Sequence, residues 1–205
     1  MKIIDLTHTF TSSMPVFPGD NPSVLQEHID SENNIVHYSL ATGMHIGTHM
    51  DGPLHMIPTG KKLSEISADK FVANGHLIDA RGKNEIGIEL LQGTDIFEGD
   101  CLLIYTGFDE KFRETAYYES YPDLTEEFAH RLVELKIKFV GMDTSSPDKA
   151  PYNVHRILLG KEILIIEGLN NLSQLLGISQ FEVIALPTKF EAEAAPVRVI
   201  ARILD

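Results

Sequence analysis

Three histidines and one aspartate fall within eleven residues, in the run His45-Ile-Gly-Thr-His49-Met-Asp51-Gly-Pro-Leu-His55. All four stand at odd positions, so on an extended chain, whose side chains alternate, they share one face. The intervening Ile46, Met50 and Leu54 are apolar and point the other way. Imidazoles and a carboxylate on one side, with packing groups on the other, suit metal ligation or acid–base catalysis. Four extended residues span about 13 Å, whereas two ligands of one zinc, each about 2.1 Å from it, lie only about 3–4 Å apart. An ion shared by His45 and His49 therefore requires a bend, which Gly47 permits; a single turn with i, i+4 spacing would serve as well. Asp51 can bind the same ion or bridge to a second, and Gly52-Pro53 turns the chain so that His55 returns toward the centre.

The remaining sequence must supply elements that hold this run in place. Short strands are expected at Ile3–Leu6, Val24–Ile29, Ile35–Leu40, His76–Ala80, Cys101–Thr106, Lys138–Met142, Glu162–Ile166, Glu182–Leu186 and Val197–Ile203. One helix is clear: Asp123 can cap it with Glu126 three residues on, and Leu124, Phe128, Leu132 and Leu135 fall on one face. Shorter helices fit Ile88–Gln92, Asn153–Leu159 and Leu172–Leu176, while glycine and proline recur too often between Gly43 and Gly60 for a long one. Many short strands and few helices predict an α/β domain with a mixed sheet, and the strand-rich ends argue against a plain doubly wound one. No linker, low-complexity tract or fixed-period repeat divides the chain, so residues 1–205 are read as a single domain.

Composition narrows the function. The 205 residues are 43% hydrophobic and 23% charged, with a formal charge of −13 that disfavours nucleic acid or an anionic membrane as a partner. The single cysteine, Cys101, opens an apolar run and reads as a buried, inert thiol in a reducing compartment. Lys2 meets Asp5 before any apolar stretch develops, and no apolar run is long enough to span a bilayer, so a cytoplasmic location is expected. There is no Gly-x-Ser-x-Gly elbow, no P-loop around Gly60-Lys61 and no Gly-x-Gly-x-x-Gly after a strand. Of nine histidines, His8, His28, His37, His76 and His130 are read as ordinary polar residues, His130 on a helix surface and His76 at a strand entrance.

The pattern His-x-Gly-Thr-His-x-Asp-x-Pro-x-His, met by His45, Gly47, Thr48, His49, Asp51, Pro53 and His55, resembles the signature of the metal-dependent cyclase/hydrolase superfamily. That superfamily contains bacterial kynurenine formamidases and isatin hydrolases. Asp5-Leu6-Thr7 and Pro15-Val16-Phe17-Pro18-Gly19-Asp20-Asn21-Pro22 resemble its N-terminal segment, and Gly141-Met142-Asp143-Thr144, with Ser145 or Ser146, its Gly-x-Asp-Thr-x-Ser element. His155, Glu167-Gly168-Leu169, Ala185-Leu186-Pro187 and Ala195-Pro196-Val197-Arg198 follow in the order such proteins show, so the resemblance covers nearly the whole chain.

The resemblance implies a two-metal hydrolase of the swivelling β/β/α type, usually a homo-oligomer, here expected as a dimer or tetramer. Carried over by position, His45, His49 and Asp51 would bind one ion; Asp51 would bridge to a second held by His155 and Glu167, and His55 would be the general acid/base. Taken alone, His155 reads as a helix histidine and Glu167 as a strand-end carboxylate. The glutamate at 167 favours two ions over the single manganese associated with glutamine there, with zinc expected first and manganese second. The expected reaction is C–N hydrolysis of a small amide, most like an arylformamidase acting on N-formylkynurenine or a related compound. The alternatives are an isatin-type lactam or other cyclic amide or lactone hydrolase, and a non-catalytic metal-containing binding protein. Where kynurenine formamidases typically have tryptophan this chain has Phe17, a substrate-stacking candidate that reads equally as an anchor of its Pro-rich turn. The loop 107–122, rich in Phe and Tyr, is expected to be a lid, an oligomer contact or the cover of a satellite core.

Overall fold

A computed structural model describes residues 1–204. In chain order the strands are β1 (Ile3–Asp5), β2 (Val24–Asp30), β3 (Ile35–Ala41), β4 (His49–Asp51), β5 (Val72–Asp79), β6 (Glu85–Ile86), β7 (Cys101–Tyr105), β8 (Asp123–Leu124), β9 (Phe139–Met142), β10 (Leu164–Glu167), β11 (Phe181–Pro187) and β12 (Ala194–Ile203). Three helices accompany them: α1 (Ala116–Glu119), α2 (Glu126–Leu135) and α3 (Asn153–Leu159). The main sheet runs β1-β12-β11-β5-β7-β9-β10-β4, and β4 also pairs with β12, which closes seven strands into a barrel. The mixed sheet with few helices is the expected fold class, and β5, β7, β9 and β10 form its parallel part.

Parallel neighbours need crossover connections: α1 and α2 lie between β7 and β9 and α3 between β9 and β10, while the β5–β7 connection carries β6 and a 3-10 turn. Phe128 and Leu132 of α2, with Val154 and Leu158 of α3, bury against Leu102, Ile104, Val140 and Ile165 on the outer face of the parallel strands. The alternate residues Cys101, Leu103, Phe139, Leu164 and Ile166 join Met50, Val183 and Val199 in the other core. Both faces are covered, which accounts for the unbroken apolar runs in β7 and β10. Cys101 is fully buried and burial raises its thiol pKa, in keeping with an inert residue. No helix among the described residues is long and apolar enough to cross a membrane.

Several boundaries differ from those expected, for identifiable reasons. The cap of α2 is Thr125, whose hydroxyl accepts from the Phe128 amide at 3.1 Å, and not Asp123. Asp123 and Leu124 instead pair with Glu85 and Ile86, and the Asp123 carboxylate accepts from Lys149. β5 starts four residues before His76 because Val72–Asn74 pairs with β11 while Gly75–Asp79 pairs with β7. His76 thus lies within the strand, hydrogen-bonded to Asp100 at 2.8 Å, rather than at its entrance. β12 likewise starts at Ala194: its first residues pair with β4 and the remainder with β11.

Candidate metal centre

The histidine-rich run is strand only over His49–Asp51. Within it the alternation holds: Met50 is fully buried in the core, while His49 and Asp51 face a cavity. The flanking histidines arrive by bends. Gly47 has φ +57°, a left-handed conformation that turns the chain between His45 and His49. After Asp51, Gly52 leads into a 3-10 turn over Pro53–His55 that returns His55 to the same cavity. Thr48 fixes the bend, since its hydroxyl donates to the Gly168 carbonyl at 2.5 Å and accepts from the His8 amide at 3.0 Å.

The other two candidates come from distant sequence. β4 is antiparallel to β10 with His49 opposite Glu167, so strand pairing alone sets Glu167 beside the histidines. His155 projects from α3, where Asp148 orients it: the Asp148 carboxylate accepts from the Val154 amide at 2.7 Å and from His155 Nδ1 at 2.5 Å. That bond leaves Nε2 to face the cluster. Asp148 escapes the sequence reading because it lies in an irregular loop seven residues ahead of its partner. An Asp at the entry of a histidine-bearing helix is the signal that would have found it.

All five candidate ligands and His55 converge. His45 Nδ1 lies 2.9 Å from Asp51 Oδ1, and His49 Nε2 lies 3.7 Å from the same oxygen and 3.2 Å from Glu167 Oε2. His155 Nε2 stands 3.3 Å from Glu167 Oε1 and 3.9 Å from Asp51 Oδ2. Donor atoms of His45, Asp51 and His55 all lie within 4.8 Å of one another, as do those of His49, Asp51 and Glu167. Two three-residue groups thus share Asp51.

Burial makes this arrangement costly unless positive charge enters it. Asp51 is wholly buried and Glu167 nearly so, yet among the described residues they pair only with histidines. Burial opposes the protonated form of His45 and His155, but adjacent carboxylates outweigh it. Asp51 pushes His45 up to about 9, and Asp148 and Glu167 push His155 up to about 10. His49 is raised in the same way, against its burial, by Glu167 and Asp51. Burial would raise both carboxyls, but the surrounding imidazoles hold them low. His55 moves the other way: burial, reinforced by neighbouring His45 and His155, lowers it despite Asp51.

Even with these close approaches, His49 Nε2 and both Asp51 oxygens make no hydrogen bond. Buried polar atoms seldom go unpaired. Orphaned imidazole and carboxylate donors, with no thiolate among them, fit a divalent cation of the zinc or manganese type.

Above the cluster lies a cavity of about 310 Å³, the size of a site for one small molecule. Phe17, Tyr118 and Tyr152 line it with Asp20, Ser145 and Ser146. Phe17 stands edge-on to Tyr118 with ring centroids 5.8 Å apart, so it occupies the pocket wall. From the loop 107–122, Phe112 and Tyr117 form a small core with Met14 and Ile46, and Tyr118 packs against it while also facing the cavity. His8, outside the cavity, stacks on Phe112 at 3.7 Å. His28 and His37 stack on each other in the β2–β3 hairpin, and His130 is exposed on α2.

The Cyclase family model matches residues 4–149. The chain is similar to an uncharacterized protein of Methanocaldococcus jannaschii, 32% identical over 204 residues, which are 98% of this chain and 99% of that one. It is also similar to the kynurenine formamidase of Geobacillus thermodenitrificans, at 29% identity over 209 residues, 97% of this chain and 96% of the relative. Among solved structures, isatin hydrolase A from Labrenzia aggregata bound to benzyl benzoate has a TM-score of 0.86 and 26% identity, covering 100% of this chain and 94% of that one.

Proposed function

Because the chain belongs to the cyclase family, we propose that it is a metal-dependent hydrolase cleaving the C–N bond of a small amide, most like an arylformamidase with an N-formylkynurenine-type substrate. The observation that carries this reading is the convergent donor set, with His49 and Asp51 buried and orphaned, beside an aromatic-walled cavity. In this reading His45, His49 and Asp51 hold one ion, and Asp51, His155 and Glu167 hold a second, zinc before manganese. A divalent cation held there would supply Lewis acidity, which makes water a stronger nucleophile near neutral pH and polarises a carbonyl group.

The chain's own groups do the rest. His55, with its lowered pKa, is neutral at pH 7 and accepts a proton at a ring nitrogen, then returns it to the leaving nitrogen. Asp148 holds the His155 ring in register. Phe17, Tyr118 and Tyr152 pack against an aryl group and keep water from it. The protein acts in this reading as a cytoplasmic homo-oligomer, its acidic composition and lone buried thiol supporting that address.

Structural likeness to an isatin hydrolase favours a second reading, hydrolysis of a cyclic amide. Removing metal with a chelator and restoring zinc or manganese, while assaying a formanilide, isatin and an aryl lactone, tests both. Formanilide turnover that vanishes on stripping and returns with metal is expected, and a faster rate on isatin would favour the second reading. Full activity in metal-free protein would overturn either, and metal content without any turnover would indicate a binding protein.

A further inference from the structure

The cavity beside the cluster has a one-sided charge. No Lys or Arg lines it, and apart from the cluster its single charged group is Asp20. A turn puts Asp20 there: its amide donates to the Phe17 carbonyl at 3.0 Å, and Gly19 supplies the positive φ, +103°, that the turn needs. Phe17 and Asp20 thereby share a stretch of wall with Tyr118, whose phenol is pushed up to about 12 by burial and then by the Asp20 charge. Asp20 is exposed, so it stands at the cavity's mouth. In every ion pair among the described residues the acid is another one, which leaves the Asp20 carboxylate without a counter-charge. The Ser145 and Ser146 hydroxyls, also in the wall, donate to the Tyr117 and Asp148 carbonyls at 3.0 and 2.8 Å, so toward a ligand they only accept.

We propose that Asp20 recognises an ammonium group, and that the substrates of this site are aryl amides whose side chain ends in a protonated amine. The inference rests on the amide-hydrolase reading above and names the substrate class within it. An ammonium finds a carboxylate acceptor there, next to the aromatic rings of Phe17 and Tyr118, and both attract a cation. The amine of an N-formylkynurenine-type side chain is such a group. A carboxylate on that side chain meets no cationic side chain in the wall outside the cluster, and Asp20 repels it. Isatin carries neither group, so Asp20 gives a plain cyclic amide no advantage.

Three formanilides that differ only at the end of an ortho chain test this: ortho-(aminoethyl)formanilide, ortho-propylformanilide and ortho-(carboxyethyl)formanilide, assayed at neutral pH with the full chain reconstituted with zinc. The expected order of kcat/KM is ammonium over propyl over carboxylate, the first step being about 3- to 10-fold and carried by KM. Raising NaCl to about 0.5 M should shrink that step, because salt screens an exposed charge pair. Asp20→Asn should bring the ammonium-to-propyl ratio close to unity, and Asp20→Lys should put the carboxylate ahead of the ammonium. A ratio near unity in the wild type, or one that Asp20→Asn leaves in place, would overturn the proposal. Turnover of ortho-propylformanilide judges the amide-hydrolase reading separately. If no formanilide is turned over, calorimetric titration with the matching anilines, ortho-(aminoethyl)aniline and ortho-propylaniline, decides on binding alone. A preference for the amine that Asp20→Asn abolishes upholds ammonium recognition, whereas equal affinity or binding of neither overturns it.

Discussion

Asp51 is the residue on which the candidate centre turns. It is fully buried, approached by three imidazoles and hydrogen-bonded to none. A carboxylate so placed is tolerable only beside positive charge, from imidazolium protons or from a cation that displaces them. His55 differs from the other cluster histidines because burial and like charge lower its pKa. It is therefore cast as the proton carrier, although its nitrogen lies within ligand range of His45 and Asp51. His55→Ala should retain the wild-type metal content while losing about 10²–10⁴-fold in turnover. Metal analysis beside steady-state kinetics checks this; a variant stripped of metal would make His55 a ligand.

At the scale of elements, the centre depends on how β4 is wedged between β10 and β12. The approach of Gly168 to Gly47 sets that wedge. Gly168 has φ +64°, and a β-carbon there would stand 2.5 Å from the Gly47 carbonyl oxygen. Only glycine fits, because both the left-handed backbone and the contact exclude a side chain. Gly168→Ala should cost about 1–3 kcal/mol of stability, read by chemical denaturation, and should lower metal loading by displacing Glu167. The same contact explains why the signature holds a glycine and a threonine between its first two histidines: Gly47 makes the bend and Thr48 bonds to Gly168.

Across the whole molecule, barrel closure joins β4, α3 and β10 at one cluster, so a cation bound there ties together elements more than a hundred residues apart. At a free concentration about 100 times its Kd the ion adds about 2.7 kcal/mol, a rise of roughly 5–10 °C in Tm for a chain of this size. The size of that rise depends on pH. Without the ion, His45 and His155 bind protons up to about pH 9 and 10, whereas the unfolded chain releases them near 6.5. The proton-linked stabilisation is complete below pH 6.5 and fades as pH climbs through 9 to 10. The ion must displace those protons, so its own contribution grows over the same interval. The Tm difference between metal-loaded and stripped protein should be larger at pH 8.5 than at pH 6.5, as calorimetry would show.

The sequence by itself singled out His45, His49, Asp51 and His55 as one group, because type, odd-numbered spacing and the bends at Gly47 and Gly52-Pro53 are local properties. It placed nine of the twelve strands and α3, since apolar runs and helix periodicity are also local, but missed β4, β6 and β8, which are only two or three residues long. Thr125 displaced Asp123 as the cap because Leu124 is drawn into a pairing with Ile86 that no short window contains. His155 and Glu167 were legible only through resemblance, and Asp148 not at all. Their places depend on the register of β4 against β10 and on the packing of α3, both set by closing the barrel. The tertiary structure alone decided that His49 and Asp51 are buried and orphaned, and that the β2–β3 hairpin is exposed. Burial is a property of the whole chain: which face of a strand meets water is settled only when every other element has taken its place.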